Sequence, residues 1–191
     1  ANLKAFVERG GVFITEGSAS RLPIDMAITR RIAIQDMPEL TARGTVLRTT
    51  PAEDAGPIAY GYADTLGAYF NQRPVFQIDD ELGSNAVPDW LKDEIWSKEV
   101  PRVVLSFAEE DVMMSGMLRG EDDIAGTPAV VDVPVGDGHV VLFAIRPFWR
   151  LETSGSHALV FNAMLHWNDL RTGWPERPDE DEDEDDAQAG G

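Results

Sequence analysis

Two arginines in the second half of the chain are the residues best suited to chemistry. Arg146 and Arg150 flank Pro147-Phe-Trp149 and follow residues 140–145, an apolar run typical of a buried strand. Open α/β sheets bind ligands at the loops beyond the carboxyl ends of their strands, and guanidinium groups bind carboxylate or phosphate in bidentate geometry. This spacing predicts an anion site in the strand-end loop.

Further polar residues complete this predicted site or compete with it. Thr153 and Ser115, with Gly116 beside it, are the additional contacts that we expect around the two arginines. The alternative is structural, because in an acidic chain the guanidinium groups would pair with Asp132, Glu152 or a neighbouring domain. The sequence leaves both interpretations open, and the abundance of carboxylates favours structural pairing.

The turn Glu16-Gly17-Ser18 is the other place to look for a nucleophile. A nucleophile elbow requires small residues two positions on either side of the nucleophile. For Ser18 these positions are Glu16 and Ser20, and the glutamate side chain is too large for so sharp a turn. We therefore expect Ser18 or Ser20 to cap the following helix, and we assign no catalytic residue to this chain.

Metal ligands are not suitably spaced anywhere in the sequence. His157 and His166 are nine residues apart, which places them on opposite sides of one helix, and His139 lies in another element. The acidic triplets 109–111 and 121–123 lack the spacing of a calcium loop, and the chain contains no cysteine. The sequence predicts hydrogen-bonded or solvated histidines, solvated carboxylates and no metal or cofactor bound by this chain.

Composition limits the partners. The 191 residues are 43% hydrophobic, enough for one sizeable core. The net charge is −18, and the eight consecutive acidic residues 179–186 account for part of it, so −10 remains on the rest. Phosphate-rich partners require clustered Lys and Arg, and no run reaches the roughly 18 apolar residues of a membrane span. We expect neither a nucleic-acid partner nor a membrane span.

The first half of the chain is predicted to alternate helices and short strands. A helix carries Leu3, Phe6 and Val7 on one face and ends at Gly10-Gly11. A chain that starts inside a helix suggests a piece of a longer protein, and a processed N-terminus is the alternative. The remaining predictions for this half are a helix at residues 22–32 and strands at residues 11–15, 45–48, 66–70 and 74–78.

The second half contains the clearest strand signals. Two strands, residues 129–133 and 140–145, flank a turn at Gly136-Asp-Gly138. The other predicted elements are a short surface helix within residues 88–96, a strand at 102–107, a loop-rich connection at 112–121 and a helix at 156–167. We expect residues 1–170 to form one domain and residues 171–191 to form a disordered acidic tail, because like charges repel and nothing apolar can be buried there.

A series of short motifs in this order resembles a known domain. It is the class I glutamine amidotransferase-like domain found behind the catalytic domain in bacterial zinc carboxypeptidases of the carboxypeptidase A-like class. The motifs span roughly Leu3 to Trp167 and comprise Leu3-Lys-Ala-Phe-Val-Glu-Arg-Gly-Gly-Val-Phe-Ile14, Gly44-Thr-Val-Leu-Arg48, Pro57-Ile-Ala-Tyr-Gly61, Ser115-Gly-Met-Leu-Arg-Gly120, residues 129–143, Arg146-Pro-Phe-Trp-Arg150 and Phe161-Asn-Ala-Met-Leu165.

The resemblance implies a flavodoxin-like three-layer α/β sandwich whose first strands lie upstream of Ala1. It also implies an exported bacterial parent protein, although a cytoplasmic one stays open. The zinc and the peptidase residues would belong to an upstream catalytic domain of the same polypeptide, and the amidotransferase cysteine is missing from the turn at Gly17. The implied function is a non-catalytic accessory domain, and the alternative is a stand-alone anion-binding module that uses Arg146 and Arg150.

Overall fold

A computed structural model describes residues 2–78 and 100–173 of the chain. Its strands are β1 Val12–Glu16, β2 Ile32–Gln35, β3 Thr41–Pro51, β4 Leu66–Phe70, β5 Val75–Ile78, β6 Arg102–Phe107, β7 Met113–Arg119, β8 Pro128–Val135 and β9 Gly138–Phe143. Its helices are α1 Asn2–Glu8, α2 Arg21–Asp25 and α3 His157–Leu165.

Seven of these strands form one mixed sheet in the order β1-β9-β8-β6-β3-β4, with β7 paired to β3, and β2 pairs with β5 in a separate ribbon. Among the strands of residues 2–78 and 100–173, only the β1–β9 pair is parallel. The longest helix of the described ranges has nine residues. The predicted flavodoxin-like three-layer sandwich is therefore wrong, because that fold needs a parallel sheet whose crossover helices cover both faces.

The β8–β9 hairpin is the centre of the core, as the apolar runs predicted. Every residue of β9 is buried, and so is every residue of β8 after Pro128. Gly136 has a φ of +61° at the turn, a conformation that glycine adopts without strain. Continuous burial on both faces explains why these strands lack the polar alternation of a half-solvated sheet.

The sheet curls back on itself. The backbone N–H of Arg146, just after β9, donates a hydrogen bond of 2.9 Å to the carbonyl of Tyr69 in β4. In the sheet order, β4 is four strands away from β9. The curl thus brings the end of the central hairpin next to the outer strand and positions the predicted arginine loop.

Two predicted elements are wrong. The helix at residues 22–32 is limited to α2, because Ala27 turns the chain with a φ of +50° and Ile32 pairs with Ile78 in the ribbon. The predicted loop at 112–121 contains β7, which pairs with β3 although nearly all its side chains are exposed. An exposed strand shows no hydrophobic alternation, so its sequence lacks the signal on which strand prediction depends.

The remaining predicted elements are confirmed within a few residues, including the strand at 66–70, the strand at 102–107, the closing helix and the helix that ends before Gly10. The predicted surface helix at 88–96 lies outside the described residues. The same holds for residues 174–191, which make up most of the predicted acidic tail.

Candidate functional site

The carboxyl ends of the parallel strands β1 and β9 bring Arg146 against the turn at Gly17. Glu16 and Phe143, the last residues of the two strands, are partners in the sheet register. A Cβ atom on Gly17 would lie 2.8 Å from Nε of Arg146, so the absent side chain makes room for the guanidinium group. The two places singled out in the sequence are therefore neighbours in space.

Ser20 anchors this turn to the sheet. Its hydroxyl is fully buried and donates a hydrogen bond of 3.0 Å to the carbonyl of Phe143, while it accepts one of 3.0 Å from the Thr15 hydroxyl. No side-chain cap accompanies the following helix at Ser20. The expected capping role of Ser20 is replaced by a tie between β1 and β9.

Arg146, Trp149 and Tyr69 form one stack. Its guanidinium carbon lies 5.2 Å from the ring centre of Trp149, and the Trp149 ring stacks on Tyr69 at 5.6 Å with an interplanar angle of 8°. A cation over an indole face is attracted by the ring quadrupole. The stack fixes the direction of the Arg146 side chain and still leaves it partly exposed.

The other predicted site residues have separate surroundings. Arg150 is exposed, with a φ of +50°. Thr153 is buried, and its hydroxyl lies 3.2 Å from that of Ser156, which donates to the carbonyl of Pro147. Ser115 lies on β7 opposite Val46. Within residues 2–78 and 100–173, no side-chain hydrogen bond or ion pair joins Ser115 or Thr153 to either arginine.

A buried polar pair lies elsewhere in the sheet. Asp132 and His139 are almost fully buried on β8 and β9, with Oδ1 and Nδ1 2.8 Å apart. Asp132 is also the register partner of Arg102 on β6. Burial lowers the pKa of Arg102, and the Asp132 charge opposes this shift. The histidine partner of Asp132 replaces the pairing with Arg146 or Arg150 considered for it from the sequence.

A small polar cavity of about 270 Å³ was not recognised from the sequence. It lies between the turn after β1, the start of α2 and the β2–β5 ribbon, and it is lined by Ser18, Arg21, Ile34, Gln35, Asp36, Arg73 and Pro74. Its two arginines are 52 positions apart in the chain. Only the β2–β5 pairing brings them together, so local spacing could not have revealed this cavity.

A larger groove of about 540 Å³ has an apolar lining and lies between α1, β1 and the end of α3. Phe6 is 50% exposed, Met164 58% and Trp167 58%, although all three line the same groove. Val12 and Ile14 form its floor on one face of β1, and Arg9 lies on its wall. Large exposed apolar side chains grouped in this way are typical of an interaction surface.

Neither a metal site nor a membrane-spanning helix is found among the described residues. Among residues 2–78 and 100–173, no group of three His, Cys, Asp or Glu side chains is arranged to hold a metal ion. No helix in these ranges is long and apolar enough to cross a bilayer.

No protein-family model and no curated protein matches this sequence. Among solved structures, the β-galactosidase of Bacillus circulans sp. alkalophilus gives a TM-score of 0.53 at 15% identity, over 86% of this chain and 20% of that chain. The cytoplasmic protein STM3548 of Salmonella typhimurium gives 0.50 at 13% identity, over 85% and 57%. A ThuA-like protein of Bacteroides uniformis gives 0.49 at 10% identity, over 87% and 61%.

The chain thus spans about a fifth of the β-galactosidase that it resembles and somewhat more than half of the Salmonella protein. Sequence identities of 10–15% concern the fold and carry no information on function.

Proposed function

We propose that this chain is a non-catalytic accessory domain of a larger hydrolase. In this proposal the α1–α3 groove docks on the catalytic domain of the same polypeptide. The sequence resemblance suggests the parent: an exported bacterial zinc carboxypeptidase-like protein that removes C-terminal residues. Zinc would be bound by the catalytic domain, where a zinc-activated water attacks the peptide bond.

The apolar groove is the observation that carries this proposal. Phe6, Met164 and Trp167 leave at least half of their side chains exposed around the 540 Å³ groove, although the chain is strongly acidic. Covering such a surface gains roughly 25 cal/mol for each Å² of apolar area. A catalytic domain with an apolar ridge and a carboxylate near Arg9 fits this surface.

The comparison with β-galactosidase supports an accessory role. In that enzyme the matching part amounts to 20% of the chain. The same fold therefore occurs inside a much longer hydrolase. This similarity says nothing of the parent's substrate, and the carboxypeptidase class rests on the sequence motifs alone.

The use of polar groups inside the domain is a second support. The hydroxyls of Ser20, Thr153 and Ser156 are buried and hydrogen-bonded, and Arg146 is stacked on Trp149. A catalytic hydroxyl needs an accessible oxygen and an adjacent base. These groups instead hold the loops in place, as expected of a domain that presents a surface.

The test uses the full chain and its parent gene. The isolated chain should retain no stoichiometric zinc after dialysis and should not hydrolyse a carboxypeptidase substrate, and zinc retention together with turnover would overturn the proposal. The reading frame upstream of the Ala1 codon should encode an HxxE pair and a later His. A start codon at Ala1 would contradict an accessory domain.

Docking itself is tested by Trp167→Ser in the parent protein. It should loosen the contact between the domains, seen as faster proteolytic separation, and should leave the isolated chain folded. If the unmodified parent protein and its Trp167→Ser variant were cleaved at the same rate, the α1–α3 groove would not be the docking surface.

An anion-binding module is the second candidate. Arg146 is held on the Trp149 ring and Arg150 is exposed beside it, so both present charge to solvent. This candidate predicts thermal stabilisation by small anions that is lost in Arg150→Ala. Equal stabilisation of the unmodified chain and the Arg150→Ala variant would exclude anion binding by this loop.

A further inference from the structure

The small cavity beside Ser18 has the chemistry of a binding site. Its walls come from the turn after β1, the first residue of α2 and the β2–β5 ribbon, so an open cavity of about 270 Å³ lies between three separate elements. Arg21, Arg73 and Ser18 supply hydrogen-bond donors, and Ile34 and Pro74 supply an apolar wall. The Gln35 amide donates a hydrogen bond of 2.6 Å to Oε1 of Gln77 and keeps its second N–H for a ligand. A concave site with a few convergent polar groups is the usual form of a small-molecule site.

The two arginines retain donors for a ligand. Nε of Arg21 lies 3.4 Å from Oδ2 of Asp25, and one terminal nitrogen of Arg73 lies 3.0 Å from Oδ1 of Asp36. All four side chains are more than half exposed. Exposed ion pairs of this kind contribute little, and each guanidinium has five N–H donors. A bound anion can therefore compete for both arginines.

The charge of the lining selects the class of ligand. Two arginines and Asp36 give the residues that line the cavity a formal charge of +1, and Asp25 pairs with Arg21 from outside the lining. A planar carboxylate with a single charge matches the guanidinium fork and this balance. A phosphate dianion would be repelled by Asp36 in the same space.

The turn that forms one wall of the cavity is fixed to the sheet. Ser18 follows the carboxyl end of β1 by two residues. The 3.0 Å hydrogen bond from Ser20 to Phe143 fixes the turn that carries Ser18.

We propose that this cavity binds a small monocarboxylate through Arg21 and Arg73, with Ser18 and Gln35 as further donors. Neither Arg146 nor Arg150 lines this cavity, and the cavity shares no lining residue with the α1–α3 groove, so it adds a ligand to the proposed accessory function.

The experiment is a titration of the full ¹⁵N-labelled chain with sodium acetate, with sodium chloride holding the ionic strength constant. We expect saturable shifts of the Ser18 and Gln35 amides. Arg21→Gln and Arg73→Gln should each weaken binding about tenfold, the loss of one charge-assisted hydrogen bond. Both side chains are exposed, so these variants should keep the spectrum of the folded chain elsewhere.

Two controls make the test specific. Lys4→Gln removes a cation of α1 that lies in neither proposed anion site and should leave the acetate-induced shifts of Ser18 and Gln35 unchanged. Asp36→Asn should tighten binding by about two- to fivefold, because it removes the competing carboxylate. Shifts that never saturate, equal weakening in Lys4→Gln, or tighter binding of inorganic phosphate than of acetate would each overturn the proposal.

Discussion

The imidazole of His139 and the carboxylate of Asp132 form a hydrogen-bonded pair inside the sheet, with Nδ1 and Oδ1 2.8 Å apart and both residues at most 2% exposed. The pair joins β8 to β9 at the centre of the core, and Arg102 faces Asp132 from β6. Nη2 of Arg102 also donates a hydrogen bond of 3.0 Å to the carbonyl of Thr172. The Asp132–His139 pair thus links β8 to β9, and Arg102 links the neighbouring β6 to the segment that follows α3.

Loss of this carboxylate should be costly. Asp132→Ala leaves buried donors without their partner and should lower the free energy of unfolding by about 3 kcal/mol. Asp132→Asn keeps an acceptor oxygen for His139 and should cost about half as much. Urea denaturation followed by circular dichroism measures both. Asp64→Ala, at an exposed position, is the matched control and should change the free energy by less than about 0.5 kcal/mol.

Gly138 is required for the contact between the β8–β9 hairpin and the end of α1. A Cβ atom there would lie 2.1 Å from the carbonyl oxygen of Val7 and 2.3 Å from that of Gly11. Backbone atoms cannot move aside as a flexible side chain can, so Gly138→Ala should destabilise the chain by about 3 kcal/mol. Gly155→Ala is the control, because its Cβ would meet only a Leu66 methyl at 3.2 Å. Equal thermal melting temperatures of the two variants would contradict this assignment.

Trp149 and Trp167 should differ sharply in their effect on the isolated chain. Trp149 stacks on Tyr69 and supports Arg146, so Trp149→Ala should cost about 1–3 kcal/mol of unfolding free energy. Trp167 is 58% exposed in the groove, and Trp167→Ala should cost less than about 0.5 kcal/mol. Chemical denaturation compares them, and a larger loss at Trp167 would mean that the groove side chains stabilise this domain itself.

Tyr62 should make stability fall at alkaline pH. Burial raises the pKa of Tyr62 above 10.0, and hydrogen bonds with the backbone of Leu159 and Ala158 oppose part of this shift. The folded chain therefore holds the phenolic proton more tightly than the unfolded chain. The resulting stability is present below about pH 10 and is lost as the pH rises further. Its hydroxyl donates a hydrogen bond to the carbonyl of Gly155, so ionisation also removes a contact.

The measurement is the free energy of unfolding between about pH 9 and about pH 11. Tyr62→Phe should be less stable than the unmodified chain at the lower pH, and its free energy of unfolding should decline less steeply as the pH rises. Parallel curves for the two proteins would show that another group is responsible.

The elements of this chain were predicted well where they are buried. The apolar runs around Gly136-Asp-Gly138 identified the β8–β9 hairpin, and residues 66–70 and 102–107 were predicted with the bounds that the structure has. Hydrophobic runs and turn glycines are local properties, because each reflects the burial or the backbone conformation of neighbouring residues. Strand β7 was missed for the same reason, since its exposed residues carry no such pattern.

The arrangement of these elements was decided by long-range pairing. The sequence suggested a flavodoxin-like sandwich, but the structure pairs β1 with β9 in parallel and the other strands antiparallel, and it turns Ile32 into a partner of Ile78. Arg146 was expected at a strand end, and the structure adds its contact with Gly17 and Trp149.

The sequence by itself thus determined the hairpin core, the negative net charge and the helix that ends before Gly10. Only the tertiary structure brought Arg21 to Arg73 and buried Asp132 against His139. The physical reason is that a strand's partner is chosen by the free energy of packing distant segments together. No window of neighbouring residues contains that quantity.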